Sequence, residues 1–267
     1  MLLGDCREIL KTLPDRSIDH ILADPPYSKA VHEGIKAAIR NEMPDVTSSD
    51  CRSRRMVDFG FEHLTAPDRR LFAAQYARLV RRWVGVFSDL ESTHLWRRSL
   101  TAAGLKYVRT PVWVRENGAP QFSGDRPSIG VECITLAHPR GRTKWNGGGK
   151  WGVYPVPIVI NRSGHREDRE HTTQKPEELM MALVRDLTDP GDLILDSHAG
   201  SGTTGATALR AGRRVILIER DVHYAKTSAD RLRAEEAGGL TLAAARAGQV
   251  AMFAPGDIKR TKRRPAP

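Results

Sequence analysis

Between residues 193 and 219 the chain reads strand, glycine loop, helix, strand and then an acid, an order that calls for parallel strands joined through a covering helix. Residues 193–195 are a short apolar run, Gly200-Ser201-Gly202-Thr203-Thr204-Gly205 follows, and residues 202–211 carry helical spacing. The next apolar run, 215–218, ends at Glu219, 19 residues beyond Gly200. Small residues let a backbone approach its ligand closely, and the start of the helix offers free N–H groups. A carboxylate ending the second strand accepts both hydroxyls of a ribose. The segment therefore predicts an adenosine-cofactor site over Gly200, Ser201, Gly202, Thr203, Thr204, Glu219 and Arg220; a tight turn without a ligand is the plain alternative.

Asp196 closes the strand directly before this loop. A pyrophosphate there is repelled, whereas the ammonium or sulfonium of S-adenosylmethionine is attracted. Upstream, residues 18–23 form a strand-like run that stops at Asp24-Pro25-Pro26-Tyr27, where two prolines forbid both ladder bonds and helix continuation. Residues 28–64 read as loop with a short helix, Thr65-Ala-Pro-Asp68 as a capped helix start, 83–87 as a buried strand, and 90–103 as a helix ended by Gly104. Strand candidates at 107–115 and 131–137 are flanked by segments rich in Gly, Pro, Arg and Trp, and helices are expected at 176–188 and 222–236. The expected fold is α/β, a Rossmann-like doubly wound, mostly parallel sheet. Its core is 1–109 with 165–240, with a recognition insertion at 110–164 and a basic, disordered tail at 241–267.

Asp24-Pro25-Pro26-Tyr27 carries a chemistry of its own, beyond the rigid turn that two prolines make. The exocyclic amine of a nucleobase is a poor nucleophile because its lone pair is delocalised into the ring. A catalyst must hold acceptors against the amine hydrogens, and the Asp24 carboxylate and the Pro25 carbonyl supply two. The prolines stiffen the backbone behind that carbonyl, and Tyr27 offers a face on which a base taken out of the duplex stacks.

With these motifs in this order, the chain resembles the amino-group DNA methyltransferases in their β-class arrangement, where the catalytic motif precedes the cofactor loop. Leu3-Gly-Asp-Cys-Arg-Glu-Ile-Leu10 resembles the opening segment of that class, which makes Asp5 the carboxylate that meets the cofactor adenine and puts Cys6 beside it. His171-Thr-Thr-Gln-Lys-Pro176 resembles the segment ahead of the cofactor strand, with Thr172, Gln174 and Lys175 along the methionine end. Asp196 to Gly202 matches the cofactor loop, and Glu219 the ribose acid. Two departures stand out: Ser197-His198 where the family usually has Pro-Phe, and Thr172 where proline is common. His198 is expected to pack against the cofactor, a surface histidine being the alternative. The resemblance implies S-adenosylmethionine as cofactor, and an aspartate heading the catalytic motif favours adenine N6 over cytosine N4.

The formal net charge of +10 favours a polyanionic partner, here double-stranded DNA. Expected DNA contacts are Arg52, Arg54 and Arg55 in the first loop, then Arg126, Arg142, Lys144, Trp145 and Lys150, with Arg115 and Arg140 also basic in the middle segment. The three cysteines, Cys6, Cys51 and Cys133, fit neither a disulfide framework nor a metal clip, and the chemistry needs no metal. No apolar run reaches a membrane span and no signal peptide is evident, so a cytoplasmic protein is expected. A homodimer and a restriction partner stay open. Competing readings are a nicotinamide oxidoreductase, which leaves Asp24–Tyr27 and the basic middle without a purpose, an RNA or protein-amide methyltransferase, and a DNA-binding relative without catalysis.

Overall fold

The computed structural model describes residues 1–27, 63–118, 127–159 and 174–238. In chain order its elements are β1 (Leu2–Leu3), α1 (Cys6–Thr12), β2 (His20–Ala23), α2 (Ala66–Leu79), β3 (Val84–Ser88), α3 (Thr93–Ala102), β4 (Lys106–Arg109) and β5 (Val112–Val114). They continue with β6 (Val131–His138), β7 (Val153–Pro155), α4 (Glu177–Leu187), β8 (Leu193–Asp196), α5 (Thr203–Arg210), β9 (Arg214–Glu219) and α6 (Val222–Glu236). All strands join one sheet in the order β1-β9-β8-β2-β3-β6-β5-β7, with β4 also on β6. The pairings from β1 to β3 are parallel, and β6 runs antiparallel to β3 from Val84↔Ala137 to Ser88↔Cys133.

Alternation along the central strands makes the two faces of the core. Ile21, Ala23, Val84, Val86 and Leu195 point to one face and meet Leu10 of α1, Phe72 and Tyr76 of α2, and Trp96 and Leu100 of α3. Leu22, Phe87, Ile134 and Ile194 point to the other and meet Leu179, Met180, Leu183 and Leu187 of α4. Helices thus cover both faces, the doubly wound, Rossmann-like arrangement that the sequence predicts. Gly85 on β3 is part of this fit, because a Cβ there would sit 2.9 Å from Leu22 Cδ2.

Local chemistry sets the helix starts. Thr65 and Asp68 form the reciprocal cap of α2, and Asp221 caps α6 by accepting from the amides of His223 and Tyr224. The expected helix at 90–103 begins at Thr93 instead, because the Asp89 carboxylate accepts from the amide and hydroxyl of Ser92 and turns the chain before the helix. Residues 112–114, 131–138 and 153–155, within the segment expected as an insertion, add strands to the same sheet.

Candidate active site

The permuted motif order has a simple spatial reading. β2 and β8 are parallel neighbours, with Ile21 opposite Leu195, so the turn after Ala23 and the turn after Asp196 leave the sheet side by side. Their loops, the start of α1 and the end of β9 enclose one cavity of about 540 Å³, a size typical of small-molecule sites. Asp5, Cys6, Asp24, Pro25, Pro26, Tyr27, Gln174, Lys175, Asp196, His198, Gly200, Ser201, Thr203, Thr204, Glu219 and Arg220 all line it. Gly202 does not. It sits behind the loop at φ +81°, where a Cβ would lie 2.7 Å from Ser228 Oγ, so packing and left-handed backbone both demand glycine.

At one end of the cavity lies a buried polar cluster. Lys175 Nζ is 2.7 Å from Asp24 Oδ2, 3.1 Å from Glu132 Oε2 and 3.2 Å from the Tyr27 hydroxyl. The Tyr27 hydroxyl donates to Glu132 Oε2 at 2.5 Å, and Arg115 lies 3.5 Å from Glu132 Oε1. Asp24 Oδ1 is buried and has no hydrogen-bond partner among the described residues. Burial pushes the Asp24 carboxyl above its ordinary range, opposed by Lys175, whereas Lys175, Tyr27 and Arg115 together outweigh burial at Glu132 and hold it below. The two carboxylates raise Lys175 despite its burial, so the ammonium stays charged.

The other end is built around Asp196 and Glu219. Asp196 is 3% exposed, accepts from the amide of His198 at 2.9 Å, and is pushed up to about 7 by burial. Glu219 accepts from the amides of Gly200, Arg220 and Asp221 at 2.8–2.9 Å, which ties the acid to the glycine loop. His198 is partly buried, packs edge-on against Phe72 at 5.0 Å, and is held neutral, down to about 3, by burial. Ser197 Oγ lies 2.6 Å from the Tyr76 hydroxyl and 2.9 Å from His198 Nδ1, so the departure from Pro-Phe keeps its polar atoms paired. Beside it the Cys6 thiol is pushed up to about 12 by burial, which makes it inert as a nucleophile.

A family model described as DNA methylase, of the N6/N4 type, matches residues 18–230. The chain belongs to this family of DNA methylases. The methylase is 25% identical over 249 residues to the Type II methyltransferase M.HinfI of Haemophilus influenzae, covering 87% of this chain and 68% of the relative. It is 28% identical over 255 residues to M2.DpnII of Streptococcus pneumoniae, covering 87% and 88%. Two solved structures share its fold: the M1.HpyAVI–SAM complex, at TM-score 0.59 and 23% identity over 86% of this chain and 97% of that one, and the cytosine-N4-specific PvuII DNA methyltransferase, at 0.62 and 17% over 86% and 84%.

The expected DNA contacts of the methylase fare differently from its cofactor set. Arg52, Arg54, Arg55 and Arg126, like Thr172 of the cofactor set, lie outside the described residues. Lys144 and Lys150 pair with Asp189 and Asp186 at 2.7 Å each, and Trp145 donates to the Gly148 carbonyl. These partners sit at the end of α4 and the turn before β8, at the amino end of that strand while the cavity lies at its carboxyl end, and neither lysine, nor Trp145, nor the exposed Arg142 lines the cavity. Arg115 and Trp113 of β5 and its following turn do. Glu132 escaped sequence reasoning; its one signal was an acid within the apolar run Val131-Glu-Cys-Ile-Thr-Leu136. No helix among the described residues is long and apolar enough to cross a membrane.

Proposed function

We propose that this methylase transfers a methyl group from S-adenosylmethionine to the N6 amine of an adenine flipped out of double-stranded DNA. The observation that carries the reading is Asp24: one oxygen is held by Lys175, and the other is buried and unpartnered in the cavity that also contains Asp196 and Glu219. A free buried acceptor is costly unless a donor arrives, and an exocyclic amine is such a donor.

The residues of the other end fit the cofactor. A buried carboxylate at Asp196 suits a cationic ligand, Glu219 suits a ribose, and the left-handed turn at Gly202 brings the α5 amides close. Asp5 caps α1 and pairs with Arg7, with both groups at the cavity wall for an adenine edge. When bound, the cofactor supplies a methyl group on a sulfonium.

Asp24 Oδ1 and the Pro25 carbonyl take the two amine hydrogens, draw the nitrogen lone pair out of conjugation and hold it in line for attack. The surplus proton of the methylated amine leaves through Asp24, whose raised carboxyl makes it a better acceptor than an ordinary aspartate. Tyr27 provides the stacking face for the flipped base. An aspartate at the head of the motif, where serine would favour cytosine, directs the assignment to adenine.

The test is transfer of labelled methyl from S-adenosylmethionine to unmethylated duplex DNA, followed by nucleoside analysis. N6-methyladenine is expected. N4-methylcytosine overturns the choice of base while keeping the chemistry, and a folded protein that leaves DNA unlabelled overturns the reading.

A further inference from the structure

Glu132 takes no part in the chemistry above, yet it lies at the centre of the groups that do. It stands on β6, opposite Trp113 of β5, with its side chain 12% exposed. A carboxylate held that far from water is retained only where it is paired and hydrogen-bonded. Here one oxygen, Oε2, receives both the Tyr27 hydroxyl at 2.5 Å and Lys175 Nζ at 3.1 Å, while Oε1 faces Arg115 at 3.5 Å. An ammonium has three N–H groups, and among the described residues Lys175 Nζ has three polar partners, Asp24, Glu132 and the Tyr27 hydroxyl. The lysine is thereby fixed, with Asp24 Oδ2 on one side and Glu132 on the other.

We propose that Glu132 is a positioning residue of methyl transfer: through Lys175 and the Tyr27 hydroxyl it fixes the catalytic carboxylate and the stacking ring in the arrangement that receives the base. This rests on the amine-transfer reading of Asp24 and Tyr27. Two consequences follow from the geometry. The Tyr27 ring is anchored at its far end, so it presents one face to the cavity instead of sampling rotamers. Lys175 divides its charge between two carboxylates, so Asp24 keeps more basicity at Oδ1 than a private ion pair would leave it.

Glu132→Gln keeps the shape and removes the charge. With the protein, S-adenosylmethionine and duplex DNA, we expect S-adenosylmethionine affinity within about twofold of wild type and kcat lower by roughly 10–100-fold, up to the low end of what a directly acting acid–base group supplies, as suits a residue acting through another. The groups facing Asp24 are Lys175 ahead of α4, Glu132 on β6, Tyr27 in its own turn and, at longer range, Asp196 at the end of β8. Removing the negative charge of Glu132 lowers the Asp24 pKa, so the acid limb of the kcat profile moves to lower pH even as the plateau falls. A merely structural defect does not move that limb. Glu132→Asp, which keeps the charge, returns the limb to its wild-type position. Tyr27→Phe removes the hydroxyl arm alone; because that hydroxyl also holds the Asp24 carboxyl down, it moves the limb to higher pH, the opposite direction from Glu132→Gln.

A folded Glu132→Gln protein with kcat within threefold of wild type and an unmoved acid limb overturns the proposal. A crystal structure of the variant judges the positioning independently of any methylation assay. A displaced Tyr27 ring and a Lys175 swung fully onto Asp24 support it; both unmoved overturn it. If wild-type protein labels no DNA, the amine-transfer reading fails, and the same crystal structure still decides whether Glu132 holds the ring and the lysine.

Discussion

At the scale of single residues, two acids of the cavity, Asp24 and Asp196, differ in what surrounds them, and that difference sets separate predictions. Asp24 is paired with Lys175 and offers one free oxygen. Replacing it by asparagine keeps the size and gives up the charge; Lys175 stays satisfied by Glu132. Asp24→Asn is expected to lower kcat by roughly 100- to 10,000-fold while S-adenosylmethionine affinity, measured by calorimetry, changes by no more than a few-fold. Asp196 is buried, has no ion pair among the described residues, and is pushed up to about 7 by burial. A cationic ligand favours the ionised carboxylate, so below pH 7 binding must expel a proton and above it need not. The dissociation constant is therefore expected to rise towards tenfold per pH unit as pH falls below about 7 and to be flat above it. Asp196→Asn should bind more weakly and show no such slope. That Asp24–Tyr27 and the glycine loop belong to one cavity was legible in the sequence because each is a contiguous string. Glu132 was not, since Tyr27 is 105 residues away and only the antiparallel pairing of β6 with β3 brings them together.

At the scale of elements, the strands and helices that a period reveals were readable, and those set by register were not. Buried runs such as Ile194-Leu195 and the capped start of α2 announce themselves locally. β1 is a strand of only Leu2 and Leu3, too short for any period, and exists because Leu2 pairs with Ile218 of β9. The junction of β8 and α5 is an element boundary fixed by one glycine. Gly202 has φ +81°, and Ser228 of α6 closes on the site where a Cβ would be, with Ser228 Oγ donating to the Gly200 carbonyl. Gly202→Ala is expected to strain the turn and push α6 outward, costing about 1–3 kcal/mol in denaturant unfolding. Because the loop carries the Gly200 amide that donates to Glu219, on the wall of the proposed cofactor cavity, cofactor affinity should fall with it, and an unchanged melting temperature would contradict this account of the turn.

At the scale of the whole molecule, charge and the cavity together orient the partner. A chain of net charge +10 draws DNA by releasing counterions, and each phosphate contact adds about −0.9 to the slope of log affinity against log salt. Composition announces that attraction without saying which face receives it. The cavity opens at the carboxyl ends of β2 and β8, and Lys144 and Lys150 lie towards the amino end of β8, paired with Asp189 and Asp186. A cation already paired has fewer counterions to release, so these lysines have less to give to DNA than unpaired ones. The double variant Lys144→Ala, Lys150→Ala is therefore expected to bind a cognate duplex within about twofold of wild type and to keep the same salt slope. Arg115, paired with Glu132 at the cavity wall, should also leave the salt slope unchanged, but it touches the cluster around Asp24, so Arg115→Ala is expected to slow turnover. If the lysine pair instead flattens the slope by about one unit per residue, the duplex wraps past the cavity towards the amino ends of the strands, and residues 139–152 form part of the DNA-binding face.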